Sequence, residues 1–95
     1  MRSYELTVIL NPTIAEENVP QAIEKLNALV AKNGGNIIET QQWGRRRLSY
    51  PIEHHAEGNY VMMKLGLEPS KARELEASLN LVEEYLRYLL LKVGD

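Results

Sequence analysis

The spacing of apolar residues switches between strand and helix periods twice along this chain of 95 residues. From Tyr4 to Leu10 every second residue is apolar, which is typical of a strand with one buried face. Helical spacing of three and four follows, and the same succession returns in the second half of the chain. The apolar residues of the first helical stretch are Val19, Ile23, Leu26 and Val30.

The first helix has signals at both ends. Thr13 and Glu16 have the spacing of a capping box, and Pro20 is expected in the first turn, where a missing N–H costs little. The glycine pair Gly34-Gly35 supplies a residue that tolerates the left-handed conformation. We therefore expect the helix to end near Lys32.

A long strand is expected from Asn36 to about Glu53, but its apolar residues change parity along the way. A regular strand cannot turn all of them toward one core. One extra residue near Gly44 would restore the pattern, so the sequence predicts a β-bulge there. The five side chains expected to face inward are Ile37, Trp43, Leu48, Tyr50 and Ile52.

The second half of the chain repeats the layout of the first. A polar turn is expected over residues 54–59, followed by a strand over residues 60–67 in which every second residue is apolar. A second helix opens at Glu68-Pro69-Ser70. Its apolar residues are Ala72, Leu75, Leu79 and Val82.

The segment from Tyr85 to Val93 suits either a longer second helix or a fourth strand. We favour the strand, because strand–helix–strand–strand–helix–strand closes into one antiparallel sheet. The predicted fold is α+β: a ferredoxin-like split βαβ sandwich (βαββαβ), with a four-stranded antiparallel sheet and two helices on one face. It forms a single domain over residues 1–95.

Charge and composition limit the classes of function. The chain has 11 Lys and Arg against 13 Asp and Glu, a net charge of -2, so any nucleic-acid site must be local. The absence of cysteine excludes disulfides and thiolate chemistry. No signal peptide or membrane-spanning run is visible, so we expect a cytoplasmic protein with no membrane partner.

Catalysis and metal binding find little support. His54 and His55 are adjacent, and adjacent side chains of an extended turn point apart, so no metal site is predicted. The serines lack the glycine-flanked turn of a nucleophile elbow, and Gly34-Gly35 lacks the other residues of a phosphate loop. We expect no enzymatic activity, no cofactor and no small-molecule substrate.

Three consecutive arginines, Arg45, Arg46 and Arg47, are the strongest functional signal. Guanidinium groups stay ionised, bind phosphate oxygens in pairs and stack on bases, so the cluster is a candidate handle for a nucleic-acid backbone. The alternative is a set of solvated charges that protects an exposed strand edge.

The face of the sheet away from the helices offers a second candidate surface. Ile9, Tyr60 and Met62 are expected on that face, where they would form a small apolar patch for a protein partner. The alternative is an ordinary sheet face with scattered apolar residues.

Five short strings, in this order along the chain, resemble one family, the sixth protein of the bacterial small ribosomal subunit. The match extends over nearly the whole sequence, and its glycine-arginine-arginine core is specific. The strings are Arg2-Ser3-Tyr4-Glu5, Leu10-Asn11-Pro12, Trp43-Gly44-Arg45-Arg46-Arg47-Leu48-Ser49-Tyr50-Pro51-Ile52, Glu57-Gly58-Asn59-Tyr60 and Leu86-Arg87-Tyr88-Leu89.

The resemblance implies a non-catalytic component of the small ribosomal subunit. It implies binding to the central domain of 16S ribosomal RNA, cooperatively with the eighteenth small-subunit protein. By position, Arg2, Arg46, Arg47 and Arg87 match basic positions of the family, and together with Arg45 of the same cluster they are the expected RNA-binding residues. A different class of function stays open from the residues alone: a ferredoxin-like regulatory or ligand-binding module that forms a homodimer through its sheet.

Overall fold

A computed structural model describes residues 1–94, in which four strands form one sheet and two helices pack on it. The end of the predicted domain at Asp95 lies outside the described residues. Short 3-10 turns over Glu16–Asn18 and Pro69–Lys71 lead into the helices. The main elements are β1 (Arg2–Leu10), α1 (Val19–Lys32), β2 (Asn36–Ile52), β3 (His55–Leu67), α2 (Ala72–Asn80) and β4 (Tyr85–Lys92).

The sheet order β2-β3-β1-β4, with every neighbouring pair antiparallel, confirms the predicted ferredoxin-like fold. The two central strands, β1 and β3, are therefore hydrogen-bonded on both sides. The strands β2 and β4 form opposite edges. The segment from Tyr85 onward is a strand, as favoured from the sequence.

The core lies between the helices and one face of the sheet. Val61, Met63, Leu65 and Leu67 of β3 all have 0% exposure, as their alternation predicts. Leu26 and Val30 of α1 and Leu75 and Leu79 of α2 join the same buried cluster. We call the opposite side of the sheet, which the helices do not cover, the open face.

The start of the first helix differs from the prediction. Thr13 caps no helix; instead its backbone N–H and hydroxyl both donate to the Asn11 side chain, at 2.9 and 2.7 Å, in a turn that ends β1. A 3-10 turn then intervenes before α1, so the predicted capping box is wrong. The C-terminal signal is confirmed: α1 ends at Lys32, and Gly34 has φ +86°.

The hairpin between β2 and β3 is tighter than predicted. Only Glu53 and His54 form the turn, with φ values of 50° and 70°, and β3 begins at His55. The polar turn expected over residues 54–59 is therefore wrong, because most of those residues pair with β2 as a strand. Likewise, Val82 lies beyond the end of α2 but still packs against the core.

Candidate nucleic-acid interface

The β-bulge expected near Gly44 is present and determines the positions of the site residues around it. The register of β2 against β3 shifts between Gln42 and Gly44, and Gly44 has φ +83°. A left-handed residue at this position is characteristic of a bulge in which one extra residue is accommodated by glycine. The prediction of a bulge is confirmed.

The inward orientation predicted from the parity argument is wrong for two aromatic residues. Trp43 is 43% exposed and Tyr50 is 55% exposed. The bulge leaves Trp43 without a partner in β3, and its indole N–H donates to the Gln41 side chain at 2.8 Å. Gln41 is paired with Met62 on the open face, so Trp43 lies at the edge of that face rather than in the core.

A second irregularity leaves a short segment of β2, Leu48–Pro51, out of register with β3, and we call this segment the strap. Arg47 is paired with Glu57 and Ile52 with His55, so the four residues of the strap lie opposite Ala56 alone. Leu48 is 8% exposed, outside the main core cluster, and it lines one recess with Ile9 and Tyr60 of the central strands. The strap therefore covers part of the open face.

The strap is held at its far side by β4. Arg87 Nη1 donates to the Tyr50 hydroxyl at 2.6 Å, and its guanidinium carbon lies 5.5 Å from the centroid of the Tyr50 ring. Since β2 and β4 are opposite edges of the sheet, this contact crosses the open face. Arg87, a predicted RNA-binding residue, thus also fastens the strap.

The apolar patch predicted as a partner surface is largely covered within the chain. Ile9 is 8% exposed and Met62 is 9% exposed, whereas Tyr60 is half-buried. The strap lies against this group through Leu48. Of the three predicted residues, Tyr60 has the most surface to offer a partner. A separate exposed apolar stripe follows the β4 edge, formed by Leu89, Leu91 and Val93.

The three consecutive arginines fall into two groups. The Arg45 guanidinium donates to the Pro12 carbonyl at 3.0 Å and forms ion pairs with Glu16 at 3.8 Å and Glu57 at 3.6 Å. These contacts hold the Arg45 side chain against its own fold. Arg45 therefore has less of its charge directed outward than its two neighbours.

Arg46 and Arg47 are both exposed, on opposite faces of β2. Arg46 is paired with Gly58 and lies over the Trp43 ring, with its guanidinium carbon 5.4 Å from the ring centroid. Arg47 lines an open groove with Pro12, Thr13 and His54. Neither side chain forms an ion pair within residues 1–94.

Arg87 lies at the same end of the sheet, but Arg2 does not. Arg87 is paired with Ile9, next to the end of β1. Arg2 is paired with Leu67 at the other end of the same strand, seven residues or about 23 Å from Ile9. The structure thus brings four of the five predicted RNA-binding arginines to one end of the sheet and leaves Arg2 apart.

Neither a metal-binding cluster nor a membrane-spanning helix is found in residues 1–94. No group of three His, Asp or Glu side chains is arranged to hold a metal ion. His54 occupies the hairpin turn, while His55 begins β3. The two helices lack the length and the apolar run needed to cross a bilayer.

Sequence reasoning missed Trp43 and Tyr50 as surface residues of the site. Both were assigned to the core because apolar residues in a strand are normally placed by parity. The available signal was the glycine directly after Trp43, which indicates a bulge. A bulge restores the alternation of the residues that follow it, but it also changes the face to which its own residues point.

Comparison with known proteins identifies close relatives over nearly the whole chain. The family model described as ribosomal protein S6 matches residues 3–92. The small ribosomal subunit protein bS6 of Fusobacterium nucleatum is 39% identical over 92 residues, which cover 97% of this chain and 98% of that protein. The protein of the same name from Mycolicibacterium paratuberculosis is 46% identical over 87 residues, covering 92% of this chain and 91% of that one.

Solved structures agree on the fold. A crystal structure of 30S ribosomal protein S6 from Thermotoga maritima superposes with a TM-score of 0.88 at 24% identity, covering 96% of this chain and 86% of that one. The P2 domain of the chemotaxis kinase CheA, solved in complex with the response regulator CheY from Thermotoga maritima, has a TM-score of 0.65 at 14% identity, covering 97% of this chain and 98% of that one. The fold alone is thus shared with a signalling domain and does not decide the function.

Proposed function

The chain belongs to the ribosomal protein S6 family, and on that premise we propose that it binds the central domain of 16S ribosomal RNA cooperatively with the eighteenth small-subunit protein. Family membership makes the chain a structural constituent of the small ribosomal subunit, without enzymatic activity. Its location is accordingly the ribosome of the cytoplasm.

The observation that carries the proposal is the exposure of Arg46 and Arg47 at one end of the sheet. Neither guanidinium is neutralised by a carboxylate within residues 1–94, and each projects from a different face of β2. Such a pair can reach phosphates on both sides of the strand. Arg45 does not share this exposure, because it supports β2 through its contacts with Pro12 and Glu57.

The small number of available cations supports a cooperative rather than an independent mode. Each phosphate contact contributes about 0.7 to 0.9 to the slope of log affinity against log salt. Two or three contacts therefore give a slope of only about 1.4 to 2.7, and the net charge of -2 adds no general attraction. A basic partner protein would supply the missing positive charge.

The open face supplies a surface for that partner. The stripe of Leu89, Leu91 and Val93 on the β4 edge is 45% to 53% exposed, and Tyr60 and Tyr50 lie farther along the same face. Exposed apolar residues grouped on one sheet face are typical of a protein interface. The two proposed surfaces, apolar for protein and cationic for RNA, meet at the strap.

A titration tests the proposal directly. The purified chain is added to a central-domain fragment of 16S RNA, with and without the eighteenth small-subunit protein, at two salt concentrations, and an unrelated RNA of equal length serves as the control. We expect tight, salt-sensitive binding to the central-domain fragment only when both proteins are present. Equal binding to the two RNAs, or no binding in the presence of both proteins, would overturn the proposal.

The regulatory homodimer is distinguishable in the same samples. That alternative predicts a stable dimer in sizing chromatography and no salt-dependent RNA binding. Family membership favours the ribosomal function, and no observation on residues 1–94 favours a small-molecule site over it.

A further inference from the structure

We propose that Trp43 and Arg46 together form a stacking site for one unpaired RNA base. The inference rests on the proposed RNA binding and specifies which chemical group of the RNA is recognised. It concerns a residue that the sequence placed in the core and that the structure places at the edge of the open face, 43% exposed.

The indole ring is held in a fixed orientation. Its N–H donates to Gln41 Oε1 at 2.8 Å, and the Gln41 amide in turn donates to the Glu39 carboxylate. These three side chains follow one another at every second position of β2, on the bulged edge strand. A large exposed ring that is already ordered loses little conformational entropy on binding.

Arg46 adds a cation to one side of this ring. Its guanidinium carbon lies 5.4 Å from the ring centroid, in the range of a cation–π contact. Arginine planes stack on bases and bind phosphates, so a base against the exposed part of the indole would place its own phosphate near this guanidinium. One stacked base and one phosphate would then share the same two side chains.

The bulge leaves the surface open at Gly44, the residue that follows Trp43. Gly44 follows Trp43, and no atom outside the neighbouring residues lies within 4 Å of the position that a Cβ of Gly44 would occupy. Base stacking tolerates any sequence, because every base has a π face, and single-stranded segments are what aromatic residues of RNA-binding proteins recognise. The site therefore fits a base in a loop, bulge or end rather than one in a helix.

The chain contains a single tryptophan, so its fluorescence reports on this site alone. Emission is followed while the central-domain RNA fragment is added to the chain together with the eighteenth small-subunit protein, and separately while that protein is added without RNA. We expect quenching on RNA addition and little change with the protein alone. Unchanged emission at saturating RNA, or the full change with the protein alone, would overturn the stacking site.

Three variants make the test quantitative. Trp43→Leu keeps an apolar side chain without a π face and is expected to weaken RNA binding about 5-fold to 160-fold, since stacking of one base contributes about 1 to 3 kcal/mol. The slope of log affinity against log salt is expected to stay unchanged, because no phosphate contact is removed. Trp43→Tyr should retain most of the affinity, and Leu81→Ala, an exposed apolar residue that follows α2 and lies outside both proposed surfaces, serves as the control.

The outcomes separate this site from the proposed function. If the wild type binds the RNA and Trp43→Leu binds it with the same affinity, only the stacking site is overturned. Failure of the wild-type chain and its partner protein to bind the RNA overturns the proposed function and the stacking site together. Because Trp43 is outside the core cluster, Trp43→Leu should unfold at the same temperature as the wild type.

Discussion

The face of the sheet under the helices and the open face are built from the same strands but differ in what their residues contact. On β3, Val61, Met63 and Leu65 have 0% exposure beneath the helices, while Lys64 of the same strand is exposed on the open face. Burial is continuous along the face under the helices, whereas the open face is covered only near the strap. One face therefore provides most of the stability of the domain, and the other leaves exposed the residues that we propose to bind.

The exposed residues of the open face arise from the register in which β2 pairs with β3, rather than from the amino-acid composition of the strands. Where β2 pairs regularly, its residues follow the alternation of β3, and where it is bulged, Trp43 and the strap residue Tyr50 become exposed. The same two irregularities place Arg46 over Trp43 and Tyr50 against Arg87. The exposed aromatic side chains and the arginines that contact them are thus concentrated where the regular pairing of β2 with β3 is interrupted.

The largest expected effect is the loss of a core side chain. Leu65→Ala, on the helix side of β3, should lower the free energy of unfolding by about 3 kcal/mol, because it leaves a cavity at a fully buried position. Leu91→Ala, at a position 50% exposed on the open face, should change it by less than about 0.5 kcal/mol. Denaturant unfolding measures both, and equal effects would contradict the division between the faces.

A second effect appears at high pH. Burial, and then the nearby Glu84 carboxylate, raise the pKa of the core residue Tyr85 from its ordinary 10.0 to about 12. Between those pH values the unfolded chain loses this proton before the folded one does, so stability falls as pH rises, by at most about 2 to 3 kcal/mol.

Tyr85→Phe provides the control for that pH dependence, since no hydrogen bond within residues 1–94 holds the hydroxyl. The variant should lose the part of the pH 10 to 12 slope that comes from this group. Identical slopes for the wild type and the variant, measured by denaturant unfolding, would show that Tyr85 titrates normally in the folded chain.

A smaller effect is expected at a close contact between β1 and β3 on the open face. A Cβ at Gly58 would lie 2.3 Å from Cγ2 of Ile9, so Gly58→Ala forces Ile9 or the hairpin to move and should cost about 2 kcal/mol. Ile9→Ala in the same chain should recover part of this loss beyond the sum of the single effects. Strict additivity in the double-mutant cycle would exclude the clash as the cause.

The smallest effect distinguishes Arg45 from its neighbours. Arg45→Ala removes a hydrogen bond to Pro12 and two partly exposed ion pairs, so it should lower stability by about 0.5 to 1 kcal/mol. Its effect on the salt dependence of RNA binding should be smaller than that of Arg47→Ala. A larger effect from Arg45 would show that its intramolecular contacts are replaced on binding.

The fold could be predicted from the sequence because the apolar periods were unambiguous in most elements. The alternation in β1 and β3 and the helical spacing of α1 each match the burial observed. The helix entry at Thr13 could not be read correctly, because Asn11 competes for the same hydrogen bonds and a 3-10 turn separates it from α1. Local capping patterns do not reveal such competition.

The candidate site was only partly predictable. Sequence position identified the arginine cluster, but not that Arg45 would be engaged by Glu16 and Glu57, which come from other segments of the chain. Nor could it show that Leu48 would cover Ile9, since that contact depends on four strap residues being opposite a single residue of β3. Both facts are long-range consequences of register, which a single strand does not encode by itself.

The most direct test of RNA binding through Arg46 and Arg47 uses the double variant Arg46→Ala/Arg47→Ala, with Arg73→Ala on α2 as a matched control that removes an exposed arginine elsewhere. RNA affinity is measured in the presence of the eighteenth small-subunit protein, alongside the free energy of unfolding. We expect weaker RNA binding and a salt slope lower by about 1.4 to 1.8 for the double variant, no binding change for Arg73→Ala, and unchanged stability for both. Unchanged RNA affinity and salt slope in the stably folded double variant would contradict RNA binding through these two arginines.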